Sequence, residues 1–299
     1  MSSASDQGPF GEPLTGPFGE ILTKGDRAIL ARLADKASEE LGIRLPETKV
    51  TMLHSRVRRR MRSVGVASLS AYEQLLNSAA GAAEHVHFLD SVTTNKTHFF
   101  REPYHFEVLL KEVLPPMFEA RARGGRWQAR IWCAGCSTGE EAYSLCMTLS
   151  EYARVRPGFS FSVTATDVST RVLAHAAAAI YTDEQAEEIP VELRQRYMMR
   201  SKDRAANVQR VVPELRKLLK FERLNFMEES YALEGPFDVI FFRNVLIYFD
   251  PPTQAAVLRR QCQLLRPAGF LFIGHSESIY GLDVPLESLG NSVLRRRHG

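Results

Sequence analysis

Arg130-Ile-Trp-Cys-Ala-Gly-Cys-Ser-Thr-Gly-Glu-Glu-Ala-Tyr-Ser144 is the stretch that decides how this chain is read. Ile131 to Ala134 is a short apolar run, which predicts a buried strand. It breaks at Gly135 and Gly139, and a helix-like pattern follows from Glu140 through Tyr143, Leu145, Met147 and Leu149. Glycines at a strand-to-helix turn let a ligand approach the backbone, because no Cβ stands in the way. Gly135 is the candidate for that approach. A helix N-terminus after such a loop suits pyrophosphate, but Glu140 and Glu141 would repel phosphate. Two carboxylates suit a ligand with hydroxyls or positive charge, and S-adenosylmethionine carries an ammonium, a sulfonium and a ribose.

An acid follows the next apparent strand. Phe161-Ser-Val-Thr-Ala-Thr-Asp167 alternates and ends where open α/β sheets place a ribose-binding carboxylate. Capping of a helix from Ser169 is the competing role for Asp167. Turn, acid and spacing together favour the ribose.

Working outward, strands and helices alternate: strand 130–136, helix 139–153, strand 161–167, helix 169–179, strands 220–225 and 237–243, helix 252–266 and strand 270–275. That order predicts a mostly parallel sheet covered on both faces. Residues 181–219 interrupt it and read as a polar insertion whose clearest strand is Val208 to Val212. Its loop, Ser201 to Asn207, has no glycine, which argues against a tight turn there. Ser288 to Arg297 reads as a last strand. Residues 96–129 read as a helical connector interrupted at Pro115-Pro116. Residues 24–95 carry helical periodicity, with Gly42 and Gly65 as stops, and predict a small all-helical domain. Residues 1–23 hold a Gly/Pro-rich tandem repeat, Gly8 to Thr15 and Gly16 to Thr23, read as a mobile arm.

The totals bound the function classes. The 299 residues are 44% hydrophobic with a formal net charge of +3, ordinary for a soluble protein. No apolar run reaches the ~18–20 residues of a membrane span, and no signal-peptide pattern opens the chain. Four cysteines fit a reducing compartment better than a disulfide scaffold, so a cytoplasmic protein is expected, and a monomer is expected as well. Charge is concentrated locally. Arg56, Arg58, Arg59, Arg60 and Arg62 lie within seven residues with no acid between them, while residues 24–95 hold eleven Lys/Arg and eight Asp/Glu. Such a helix suits an acidic protein surface; nucleic acid is the competing partner.

Four segments resemble the chemotaxis receptor methyltransferases, the CheR family: Thr93-Thr-Asn-Lys-Thr-His-Phe-Phe-Arg-Glu102, Cys136-Ser-Thr-Gly-Glu-Glu141, Phe237-Asp-Val-Ile-Phe-Phe-Arg-Asn-Val-Leu-Ile-Tyr-Phe-Asp250 and Gly269-Phe-Leu-Phe-Ile-Gly-His-Ser-Glu-Ser278. The resemblance spans Lys24 to Arg297. It implies a class I S-adenosylmethionine-dependent methyltransferase, α/β and Rossmann-like, with an N-terminal helical domain and a small β-containing insertion. It implies methylation of glutamate side chains in bacterial chemoreceptors, with S-adenosylhomocysteine as product. The implied cofactor ligands are Asn95, Thr97, Arg101, Glu141, Asp167, Asn225, Phe226, Arg243 and Asn244, with Tyr248 an active-site tyrosine. It implies that the arginine helix grips receptor helices, that the insertion can bind a receptor tail, and that the protein reaches the membrane only through the receptor. Ala142 departs from the proline that many relatives carry after the paired glutamates.

The chemistry asks little of side chains. A glutamate with a pKa near ~4.3 is already anionic at neutral pH, so no general base is required. Arg101, whose fork suits a carboxylate, and Tyr248 are the candidate catalytic residues. No metal is expected: Cys133-Ala-Gly-Cys136 lacks a second pair or a nearby histidine, and His85 and His87 point apart on a helix. Gly274-His-Ser-Glu-Ser278 misses the last glycine of a hydrolase elbow. Competing functions are a nucleic-acid methyltransferase, against which Asn244-Val-Leu-Ile-Tyr248 lacks the paired prolines of many base-methylating enzymes, and a non-catalytic cofactor sensor or receptor-docking adaptor.

Overall fold

The computed structural model describes residues 22–297, and the chain divides into two compact units, residues 1–94 and 95–299. All but the last two residues of the Gly/Pro-rich arm lie outside the described residues. Leu22 is buried, and Thr23 caps the first helix through a reciprocal bond with Asp26.

The first unit is helical. Helix α1 (Lys24–Leu41) stops at Gly42 and α2 (Val50–Val64) at Gly65, both glycines in the left-handed conformation that ends helices. Helices α3 (Leu69–Leu76) and α4 (Ala82–Val92) complete it. Leu30, Leu33, Leu53, Val57, Tyr72 and Phe88 form its buried centre.

The second unit opens with a loop through residue 103, in which Phe100 and Glu102 adopt positive φ. Helix α5 (Tyr104–Val108), a π-helical turn (Leu109–Val113) and α6 (Leu114–Arg121) then run without a gap. The expected interruption at Pro115-Pro116 is therefore absent. The amide of Leu114 bonds to the carbonyl of Leu109, and this wider turn places both prolines in the first turn of α6, where their missing N–H groups cost little.

The sheet comprises β1 (Trp127–Ala134), β2 (Phe159–Asp167), β6 (Leu219–Arg223), β7 (Phe237–Phe241), β8 (Leu265–Phe272), β9 (Leu286–Ser288) and β10 (Val293–Arg296). Spatial order is β6-β2-β1-β7-β8-β10-β9. The first five run parallel; β10 is antiparallel to β8 and to β9. The expected single last strand is thus a hairpin, made possible by positive φ at Gly290, Asn291 and Ser292. Helices α7 (Glu140–Val155), α8 (Thr170–Ala178) and α12 (Pro251–Leu264) make the crossovers. Strand β7 is wholly buried, as a central parallel strand must be.

Between α8 and β6 stands the insertion. It contains β3 (Ile180–Thr182), α9 (Asp183–Glu187), α10 (Val191–Tyr197), β4 (Met198–Arg200), β5 (Val208–Val211) and α11 (Pro213–Arg216), with an antiparallel sheet of order β3-β5-β4. A tight turn does form before β5 despite the missing glycine. Asn207 takes the left-handed conformation, φ +47°, which asparagine tolerates. Among the described residues no helix is long and apolar enough to cross a membrane.

Candidate active site

Strand order reverses between β1 and β7, and ligands of such sheets bind beyond the carboxyl ends at that point. The glycine loop after β1 sits there. Gly135 and Cys136 donate their amides to the Thr166 carbonyl at 2.8 and 2.9 Å. The Ser137 amide donates to Asp167 Oδ2 at 2.9 Å, and its hydroxyl donates to the Asn95 carbonyl at 2.9 Å. The other oxygen of Asp167 accepts from the Ser169 amide at 3.0 Å. Ser169, not Asp167, supplies the cap of α8 through its hydroxyl. A Cβ on Gly135, at φ +79°, would lie 2.7 Å from Val245 Cγ2 and 3.9 Å from the Phe226 ring. The loops after β1, β6 and β7 therefore meet at this glycine.

Both glutamates that open α7 are buried, and they face different partners. Glu140 accepts from the Thr138 hydroxyl at 2.6 Å and from Gln185 of α9 at 3.2 Å, tying the insertion to the loop. Glu141 accepts from Arg243 at 2.7 Å and from the Cys133 thiol at 3.3 Å. Arg243, with no exposed side-chain surface, also bonds Glu102 at 3.0 Å and the Arg101 carbonyl. Its guanidinium lies over the rings of Phe106 and Phe241. The sequence reading places Arg243 among cofactor ligands; in the structure its guanidinium bonds two protein carboxylates and a carbonyl. Burial raises the Glu102 carboxyl, but the Arg243 charge and hydrogen bonds outweigh it and hold it below the usual range.

Asn244 adopts φ +58°. Its amide group donates to Glu102 at 3.2 Å and its backbone N–H to Glu277 at 2.9 Å. Glu277 is buried and accepts as well from the amides of Gly274 and Ile247. Burial pushes its carboxyl above the ordinary range, against the pull of those N–H groups.

Other expected site residues frame this network. Arg101 is half-buried and donates to the Lys96 carbonyl at 3.1 Å, folded back over its own loop. Thr97 is half-buried on that loop. Asn225 is turned along its own chain, Oδ1 accepting from the Met227 amide at 3.0 Å. The Phe226 ring is buried among Trp132, Tyr231 and Phe242, and its carbonyl accepts from Tyr231 and Arg260. Tyr248 is half-buried in a single 3-10 turn, Leu246–Tyr248, beyond β7.

Glu102, His105 and His275 hold possible ligand atoms within 4.8 Å of one another, a grouping hidden from the sequence reading because His275 lies far along the chain. Arg243 already pairs with the Glu102 oxygen nearest His105. Burial first, then the Arg243 charge, pushes His105 down to about 4. This corner is therefore built around a resident cation. The sequence reading also gives no role to Glu102 or Glu277, although each stands in a motif that the sequence displays. Cys133 and Cys136 are fully buried, and burial above all raises both thiols well beyond their ordinary range.

In the helical unit the arginine run divides. Arg56 donates to the carbonyls of Val92 and Thr93 at 2.7 and 3.0 Å. Arg60 makes a two-pronged bond to Glu84, at 2.9 and 2.5 Å, and Tyr72 donates to the same carboxylate. These two arginines, expected on a partner surface, brace α4 and are half-buried; their four-residue spacing sets them along one side of α2. Arg59 and Arg62 are exposed and Arg58 is half-buried.

Comparison with known proteins adds the following. Residues 95–293 match the family model described as CheR methyltransferase, SAM binding domain, and residues 28–93 match CheR methyltransferase, all-alpha domain. A chemotaxis protein methyltransferase of Escherichia coli is 39% identical over 262 residues, covering 88% of each chain. Chemotaxis protein methyltransferase 2 of Pseudomonas aeruginosa is 38% identical over 84% of this chain and 87% of its own. A chemotaxis protein methyltransferase of Borreliella burgdorferi is 34% identical over 84% and 88%.

Proposed function

The chain belongs to the CheR methyltransferase family, an S-adenosylmethionine-dependent one, and from that membership we propose that it methylates glutamate side-chain carboxylates of bacterial chemoreceptors. The products are glutamate methyl esters and S-adenosylhomocysteine. The observation that carries the reading is the site at the carboxyl ends of β1, β2 and β7: a glycine cradle whose Ser137 amide is held by Asp167, the acid at the end of β2. A carboxylate acceptor needs alignment and a dry pocket rather than deprotonation.

The residues fit the donor. Gly135 lies where a side chain would collide with Val245, so only glycine leaves that wall open. Asp167 holds the loop through its two oxygens, and since a carboxylate accepts about four hydrogen bonds, it can hold ribose hydroxyls as well. Asn95, Thr97, Arg101, Asn225 and the backbone of Phe226 complete the donor site, with Glu141 and Asn244 at its inner wall. Arg243 stands with Asn244 at the end of β7 among the proposed donor residues, and its guanidinium also fixes Glu141, Glu102 and the Arg101 carbonyl. When bound, the sulfonium supplies an electrophilic methyl group and departs as a neutral thioether. Arg101 and Tyr248 hold the acceptor carboxylate in line.

The helical unit, residues 24–95, docks receptor helices through Arg59 and Arg62, with Arg58 beside them. The outer strands of the insertion offer edges for a receptor tail. The protein works as a cytoplasmic monomer that reaches the membrane through its receptor. Incubation with labelled methyl donor and receptor-bearing membranes, followed by alkaline release, tests the reading. Base-labile label on receptor is expected. Alkali-stable label on RNA or DNA, or donor binding with no transfer, would overturn it.

A further inference from the structure

The insertion reaches the glycine loop through a short piece of chain, Tyr181 to Gln185. Tyr181 stands in the middle of β3 and is 1% exposed. Its hydroxyl donates to the Thr138 carbonyl at 2.8 Å. Its ring meets that of Phe99 edge-on, with centroids 4.8 Å apart, so the same side chain also touches the loop before α5. The fit leaves no slack: a Cβ on Gly139 would lie 2.9 Å from the Tyr181 oxygen. Thr138 directly follows Ser137, whose amide and hydroxyl bind Asp167 and the Asn95 carbonyl.

Gln185 divides its side-chain amide between two tasks. Its oxygen accepts from the Thr182 N–H at 3.0 Å and closes the capping box of α9. Its nitrogen donates to one oxygen of Glu140 at 3.2 Å, while the other oxygen accepts from the Thr138 hydroxyl at 2.6 Å. A capping box takes glutamate or glutamine at this position, and the helix dipole favours the acid. The helix itself therefore does not call for glutamine. The buried Glu140 does, because a glutamate here would face it with no donor between two carboxylates.

We propose that Tyr181 and Gln185 are positioning residues for the methyl donor: from the insertion side they clamp Thr138 and Glu140, so that the glycine loop stands ready in its binding form. The inference rests on the donor site proposed above. A loop that is out of place for part of the time weakens apparent affinity by that fraction. Saturating donor pulls the loop back, so the clamp acts on the donor KM and leaves kcat alone. Residues that only held the fold would show the opposite: fewer active molecules, a lower kcat and the same donor KM.

The test uses the full chain, calorimetry with S-adenosylhomocysteine and turnover on a purified receptor cytoplasmic fragment. Tyr181→Phe should weaken product binding and raise the donor KM about threefold, and Gln185→Glu about tenfold, with kcat at saturating donor within about twofold of wild type. Gln185→Glu keeps the cap of α9, so it stays informative even where Tyr181→Phe folds poorly. Adding Glu140→Gln to Gln185→Glu again sets an amide against a carboxylate, with the bond reversed, and should recover most of the affinity. Unchanged product affinity in both single variants would overturn the clamp and leave the donor site standing. A fall in kcat with the donor KM unchanged would also overturn it, by assigning these residues to the fold alone. A wild type with no affinity for S-adenosylhomocysteine would overturn the donor site and the clamp with it.

Discussion

Replacing Arg243 with methionine is the most informative perturbation of this site. The guanidinium is fully buried and lies between Glu141 and Glu102, whose side chains are only 9% and 14% exposed. Methionine keeps the length and apolar bulk against Phe106 and Phe241 but leaves two carboxylates with no cation between them. Breaking a buried pair by removing one partner costs about 3–5 kcal/mol, and the second orphaned carboxylate puts this case toward the upper end. The cost must depend on pH. Without Arg243, burial, the largest influence on Glu102, is opposed only by hydrogen bonds from Asn244 and the His275 backbone, and the folded pKa should rise above the unfolded value. A group raised in this way gains stability as pH falls through its folded pKa. The penalty should therefore shrink between pH 8 and pH 5. Both tryptophans, Trp127 and Trp132, lie in the second unit, so urea unfolding followed by their fluorescence reports that unit alone. Adding Glu102→Gln to Arg243→Met should recover part of the loss, since one orphaned charge is gone. A loss below about 1 kcal/mol, or one equal at both pH values, would refute the view of Arg243 as an internal strut.

His105 sits against Arg243, Glu102, His275 and the Asn291 carbonyl, and its folded value of about 4 lies below its ordinary 6.5. Neutral histidine is the folded form, so stability is complete above pH 6.5 and declines as pH falls toward 4, by on the order of 3 kcal/mol; His105→Gln should flatten that part of the stability curve, and an unchanged curve would contradict it. Asp167→Ala removes an acceptor from the Ser137 amide and, if Asp167 holds the donor ribose as proposed, should weaken cofactor-product binding by about 1–3 kcal/mol in calorimetry. In the helical unit, Arg59→Glu with Arg62→Glu should lower receptor methylation with cofactor affinity intact. Arg60→Ala should instead lower the thermal midpoint of that unit, because it strands the buried Glu84; equal behaviour of the two variants would contradict the division of the arginine run.

The features legible in the sequence are those that neighbours along the chain dictate. The glycine loop, the acid ending β2 and the stops at Gly42 and Gly65 are local chemistry, and each stands where its spacing places it. Roles set by distant partners are hidden. Five arginines in seven residues look alike until α4 brings Glu84 to Arg60 and the carbonyls at its own end to Arg56. That Arg243 bonds Glu102 and Glu141, 141 and 102 positions away, is invisible in the sequence, because both carboxylates reach it only through the fold. Pro115-Pro116 reads as a break because a π turn upstream has no sequence signature of its own. Asn207 shows that a missing glycine excludes a turn less firmly than a glycine predicts one. Glu277 stands in a segment that only half matches an enzyme motif it does not serve, yet an acid three residues beyond a strand-end glycine is well placed to gather loop amides.

The burial of Cys133 and Cys136 has a consequence for self-protection. An onium donor alkylates sulfur more readily than oxygen, and on the proposed reading thiolates at Cys133, near the end of β1, or Cys136, in the glycine loop, would invite suicide alkylation. Both sulfurs are held as un-ionised thiols far from neutrality, and only the ionised form attacks. The catalyst can therefore keep small, polarisable side chains packed behind its glycine loop without competing against its own substrate.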